Sequence, residues 1–142
     1  MSATVRYANR RALFDDRKFN FGDIWLIDDE FVNTPPSDQI GKRKKHVDRW
    51  VAIVSNNDEN FHPLCPIVTV APLSHRVDLM QKNDLELFSD KDSVAQNCLA
   101  QLKIMQPILK KDLRDFKGPI SDTKKIELQV MIEDFFGLST EE

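Results

Sequence analysis

The sequence predicts a mainly β (α+β) fold: a small, strongly bent antiparallel sheet or barrel closed by a C-terminal helix. Two apolar runs separated by a polar stretch, residues 50–54 and 67–73, predict a β-hairpin. Shorter β-forming runs lie on either side of that pair. Only the C-terminal segment carries helical spacing behind a capping residue. At 142 residues with 41% apolar side chains, 4 Gly and 7 Pro, the chain is long enough for one domain with its own core.

Residues 1–20 have no clean period, although 7–14 could turn as a short helix; they read as an N-terminal extension to a domain at 21–138. Residues 21–27 (Phe-Gly-Asp-Ile-Trp-Leu-Ile) form a short apolar run and predict a strand. A polar loop follows over 28–48, stiffened by Pro35 and Pro36 and turned at Gly41. After the hairpin, Leu85-Glu86-Leu87 suggests a strand, and residues 97–105 alternate as a half-buried strand does. Residues 109–116 suit a helical turn. Ser121 and Asp122 are good N-caps for a helix with Leu128, Met131, Ile132, Phe135 and Phe136 on one face, stopped at Gly137.

No apolar run approaches the ~20 residues of a membrane span. The N-terminus, with Arg6, Arg10, Arg11, Asp15 and Asp16, lacks a signal peptide's apolar centre, so a soluble cytoplasmic protein is expected. Cys65 and Cys98 are too few for a disulfide scaffold. Their spacing to His46, His62 and His75 fits no metal pattern, so they read as buried thiols, with no metal or cofactor expected. The net charge of -3 hides one dense basic stretch: Lys42, Arg43, Lys44, Lys45, His46 and Arg49. A local patch of this kind can bind phosphates on an acidic body, because the contact is short-ranged in salt.

The hairpin carries polar groups at one rim. Arg49 enters the first strand, and Ser74, His75 and Arg76 leave the second. Antiparallel pairing brings them together, and cations beside a hydroxyl and an imidazole suit a phosphodiester. The plain alternative for Arg49 is a surface ion pair with Asp48; for Ser74, a turn cap. Trp25 and Trp50 read as packing residues ahead of base-stacking platforms.

In this order the motifs resemble the MazF/PemK/Kid family of type II toxin–antitoxin endoribonucleases, over roughly residues 20–138. Gly22-Asp23-Ile24-Trp25-Leu26-Ile27-Asp28 resembles the family's opening strand, and Ser37-Asp38-Gln39-Ile40-Gly41 its acidic loop motif. The strand beginning Arg49-Trp50-Val51 is similar to its Arg-Pro strand. Val70-Ala71-Pro72-Leu73-Ser74-His75 is similar to the strand ending in Pro-Leu-Thr-Ser. Ala100-Gln101-Leu102-Lys103 stands where the family has Asp-Gln-Val-Arg or Lys, and Gly118-Pro119-Ile120-Ser121 resembles the entry to its last helix. The chain departs in Ser74 for threonine, His75 for serine, Ala100 for aspartate, and residues 42–48 inserted before Arg49.

The resemblance implies an SH3-like barrel, a homodimer and a cognate antitoxin as partner. It also implies sequence-specific, metal-independent cleavage of single-stranded RNA (mRNA) to 2′,3′-cyclic phosphate and 5′-hydroxyl ends. Arg49 and Ser74 are then the expected catalytic pair, helped by His46, His75 and Asp38. Lys42, Arg43, Lys44, Lys45, Arg76, Gln101 and Lys103 are the expected RNA contacts. Two other classes stay open: a CcdB-like gyrase-inhibiting toxin, and a relative that binds RNA or a partner without catalysis.

Overall fold

A computed structural model describes residues 10–34 and 48–138. Seven strands form one antiparallel sheet that does not close: β1 (Asp23–Asp28), β2 (Asp48–Ile53), β3 (Ile67–Ser74), β4 (Asp84–Leu87), β5 (Cys98–Gln101), β6 (Gln106–Leu109) and β7 (Arg114–Pro119). The order is β4-β5-β3-β2-β1-β7, with β6 also on β3. A short helix α1 (Asn57–Asn60) lies in the polar stretch of the hairpin, and α2 (Asp122–Phe135) ends the fold.

The two central strands are apolar on both faces, as strands covered on both sides must be. Alternation sends their side chains into two cores. Ile24, Ala52, Ala71 and Leu73 join Leu85, Leu87, Leu102 and Leu128 in one. Trp25, Ile27, Val51 and Ile53 join Phe19, Val68, Val70, Ile108 and Leu113 in the other. The hairpin pairs as expected, Val51 with Pro72 and Ile53 with Val70. On its far side β3 divides its ladder: residues 67–70 pair with β6, and Leu73 and Ser74 pair with β5. That fork bends the sheet.

Several expectations change in detail. The strand read over 97–105 stops at Gln101, and Leu102–Ile104 is a 3-10 turn that lets the chain re-enter the sheet as β6. The helical turn read over 109–116 is real only at Lys110–Asp112, between two strands the sequence hides. One contains Pro107; the other is the edge strand Arg-Asp-Phe-Lys-Gly-Pro, mostly exposed and without alternation. Ser121 caps α2 by accepting from the Lys124 N–H, and Gly137, at φ +70°, ends it in the left-handed region. Leu128 is fully buried, but Phe135 and Phe136 stay 36% and 58% exposed, so the stripe is only partly core. Cys98 is buried and Cys65 half-buried.

The segment before β1 packs onto the sheet. Phe19 is fully buried, and Arg17 grips the Asp15 carboxylate while donating to the carbonyls of Lys110 and Leu113 at 2.6 and 2.7 Å. Burial pushes the Asp15 carboxyl up, but the Arg17 hydrogen bonds outweigh it and hold the group below its ordinary value. Its stabilisation is therefore complete at neutral pH and is lost as pH falls through that depressed value. Arg17→Ala should cost about 2 kcal/mol, discounted for the partial exposure of the guanidinium, and should shrink the acid dependence of stability. Urea melts at pH 7 and pH 3 check both.

The loop 88–97 between β4 and β5 is pinned by hydrogen bonds. The fully buried Asp92 carboxylate accepts from Phe88 N–H at 2.8 Å and from Ser121 N–H at 2.9 Å, tying the loop to the start of α2. Asn97 accepts from Ser89 N–H at 3.0 Å, and the Ser93 hydroxyl donates to the Pro119 carbonyl at 2.6 Å. Gly118, at φ +122°, leaves room for it; a Cβ there would stand 2.6 Å from the Ser93 hydroxyl.

Candidate functional site

Where β3 leaves β2 for β5, the sheet opens into a cleft of about 440 Å³. Residues 48–50 of β2 and 73–76 at the end of β3 form two sides, and residues 94–96 of the pinned loop, with Cys98, form the third. The hairpin register, carried on from the Val51–Pro72 pair, sets Arg49 opposite Ser74. The cleft thus brings together Arg49, Ser74, His75 and Arg76, the rim anticipated from the sequence. Gln101 at the end of β5 and Lys103 in the following turn are outside its lining. Lys103 instead donates to Gln81 at 3.5 Å. Asp38, Lys42, Arg43, Lys44, Lys45 and His46 lie outside the described residues.

Arg49 forms an ion pair with Asp29, not with Asp48: Nη1 and Oδ1 are 3.6 Å apart, with side chains 13% and 7% exposed. Asp29 follows β1 in the short 3-10 turn Asp29–Phe31, which delivers its carboxylate to the arginine. A guanidinium held in this way keeps its charge and has little rotamer freedom left to lose on gripping an anion.

Ser74 is the turn cap the sequence offered. Its Oγ accepts from the Arg76 N–H at 3.3 Å, which shapes the turn leaving β3. The hydroxyl proton remains available to donate to a phosphate oxygen. Arg76 is exposed and paired with Asp78, whose carboxylate raises it and is itself lowered by it. His75 is exposed and lines the cleft beside Ser74.

Two groups at the site escaped the sequence reading. Asp28 and Asp48 face each other across β1 and β2, and Arg114 of β7 bridges them. The two carboxylates, Asp48 foremost, push the Arg114 guanidinium above its ordinary value. The only signal in the sequence was charge, because the β1–β7 pairing that brings Arg114 to Leu26 is irregular. The second group is the wall at 94–96, which carries no motif. Trp50 lines the cleft half-buried, with the Lys117 ammonium 5.2 Å from its ring centre; Trp25 is core, between Phe19 and Phe116.

Cys98 also touches the cleft, but burial, reinforced by Asp92, pushes its thiol up to about 12. It stays protonated at neutral pH and is no nucleophile. Alkylation of the native protein at pH 8 should therefore mark the half-buried Cys65 first, with Cys98 slower than an ordinary exposed thiol by about 10³-fold from its thiolate fraction alone. Peptide mapping after timed iodoacetamide treatment reads this. Among the described residues no His, Cys, Asp and Glu group could hold a metal ion, and no helix is long and apolar enough to cross a membrane.

Neither a protein-family model nor a curated protein matches this sequence. Solved structures do match. An endoribonuclease in complex with its cognate antitoxin, from a mycobacterial species, superposes with a TM-score of 0.59 at 15% identity, over 85% of this chain and 95% of that one. The Mycobacterium tuberculosis toxin MazF-mt6 gives 0.56 at 22% identity, over 65% of this chain and 89% of its own. MazF in the MazE–MazF structure from Deinococcus radiodurans gives 0.55 at 10% identity, over 89% and 99%. The open, bent sheet with its C-terminal helix is the fold of the MazF toxins.

Proposed function

We propose that this protein is the endoribonuclease toxin of a type II toxin–antitoxin pair. It cuts single-stranded RNA, mRNA in particular, at a short sequence in the cytoplasm, without a metal, leaving a 2′,3′-cyclic phosphate and a 5′-hydroxyl. The observation that carries this reading is the gathering of Arg49, Ser74, His75 and Arg76 at one cleft of a MazF-type sheet. Arg49 grips the scissile phosphate and stabilises charge on the pentacoordinate phosphorus. Ser74 donates to a non-bridging oxygen, and His75 returns a proton to the leaving 5′-oxygen. Arg76 and the basic stretch Lys42, Arg43, Lys44, Lys45 and His46 hold flanking phosphates, with Asp38 in the same loop. Gln101 and Lys103 extend the RNA path.

The partner is a cognate antitoxin, as structural relatives were solved with theirs, and an acidic tail on it suits the basic stretch at 42–46. The working form is a homodimer. Exposed apolar side chains such as Ile126 and Val130 on α2, and Phe136 just after it, supply surface for a second copy.

One observation favours a second reading, a relative that binds RNA or a partner without cutting. Ala100, where the resemblance expects aspartate, is 1% exposed and paired with Leu73 and Leu85, a place that cannot accept a carboxylate. Incubation with mixed-sequence RNA in EDTA, followed by mapping of the ends, decides between them. Cyclic-phosphate ends support the enzyme; binding without cleavage by folded, antitoxin-free protein sinks it.

A further inference from the structure

The Asp48 carboxylate lines the same cleft as His75. The cleft lining gathers Asp48, at the start of β2, with Arg49, Ser74 and His75. A negative charge in a phosphate cleft is a liability unless it works. Arg114 of β7 holds it by Oδ1, and among the described residues no other hydrogen bond reaches this carboxylate. Its second oxygen is therefore an open acceptor whose direction Arg114 sets. A carboxylate held by one oxygen, in the same cleft as an imidazole, supplies the two groups that in-line phosphodiester transfer uses, one to take a proton and one to give it.

We propose that Asp48 is the general base of the reaction, with Arg114 as its positioning residue and His75 as the acid. The assignment rests on the RNA-cleaving function proposed above. Asp48 takes the proton of the 2′-hydroxyl as that oxygen attacks phosphorus. The bond from phosphorus to the 2′-oxygen forms, the bond to the 5′-oxygen breaks, and the 5′-oxygen takes the proton of the His75 imidazolium. The charges around the pair are Arg114, Asp28 and Asp115 beside Asp48, Arg49 with Asp29 across β2, Arg76 with Asp78 beside His75, and Lys117 over Trp50. Arg114 fixes the direction of the Asp48 carboxylate, which removes the search for the reactive geometry.

The test compares Asp48→Asn, Arg114→Gln and Arg114→Lys with the wild type in RNA cleavage, with binding to non-cleavable 2′-O-methyl RNA and thermal melting alongside. Asp48→Asn should lower kcat by about 10²–10⁴-fold while binding of the 2′-O-methyl RNA holds or tightens, since a repulsive charge has gone. Arg114→Gln should lower kcat with the KM for RNA little changed, and Arg114→Lys should recover part of the loss, because a cation at this position aims the carboxylate. A kcat for Asp48→Asn equal to or above wild type overturns the assignment and makes Asp48 a bystander. So does an Arg114→Gln protein that keeps the wild-type kcat, a reading that stands even where Asp48→Asn fails to fold. A wild type that cleaves no RNA removes the nuclease reading and the base with it, whereas an active wild type with an equally active Asp48→Asn removes only the base.

Discussion

Arg49→Ala is expected to lower RNA cleavage by about 10²–10³-fold or more, the usual cost of removing a fixed donor from a developing oxyanion. The site has other cations, but Arg76 is spent on Asp78 at the surface, and Arg114 is occupied by Asp28 and Asp48. Among the described residues only Arg49 sits at the rim near Ser74 with its side chain largely covered, where an ionic hydrogen bond is least weakened by water. The same change leaves the Asp29 carboxylate, 7% exposed, without its guanidinium, and should cost about 2 kcal/mol or more of stability. Arg49→Lys separates the two effects. It keeps a charge against Asp29 but loses the two-pronged grip, so it should melt near wild type and still cleave poorly. Initial rates on a mixed-sequence RNA read the outcome, and an Arg49→Ala protein retaining more than about a tenth of wild-type activity ends the claim that this residue anchors the phosphate.

The largest loss of stability is expected from Asp92→Ala. That carboxylate is fully buried and accepts two part-buried backbone N–H groups, from Phe88 and Ser121. Losing two charge-assisted bonds and orphaning these two donors should cost about 3–4 kcal/mol. For a chain of this size that lowers the melting temperature by about 10 °C. Asp92→Asn keeps one acceptor and turns a donor against the other N–H, so it should recover less than half. Because the loop 88–97 is also a wall of the cleft, Asp92→Ala should raise KM for RNA at temperatures where the protein is still folded. A melting shift below about 3 °C would show that solvent reaches these donors after all.

The hairpin was legible because both of its strands are buried and lie close in sequence. Val51–Val54 and Val68–Leu73 can hide their side chains only as paired strands, and pairing them brings Arg49 to Ser74. The helix was legible for a different reason: Ser121 and Gly137 mark its ends chemically. The strands β6 and β7 were not. One carries a proline at its second position and the other is an exposed edge whose ladder breaks between Ile24 and Leu26, so neither shows a period of two. The helix stripe was over-read at Phe135 and Phe136, because periodicity identifies a face but not where the surface it packs on ends.

The site divides along the same line. The residues at the ends of adjacent strands, Arg49 with Ser74, His75 and Arg76, were determined by the sequence itself, since local pairing fixes who meets whom. Asp29 as the partner of Arg49, Arg114 across Asp28 and Asp48, and the loop wall pinned by Asp92 were decided only by tertiary structure. Each depends on elements far apart in the chain meeting at an irregular place: a turn after β1, a bulged edge strand, a buried carboxylate reaching the cap of a helix. Charges carry no period, so their partners become visible only once the sheet has bent and brought its ends together.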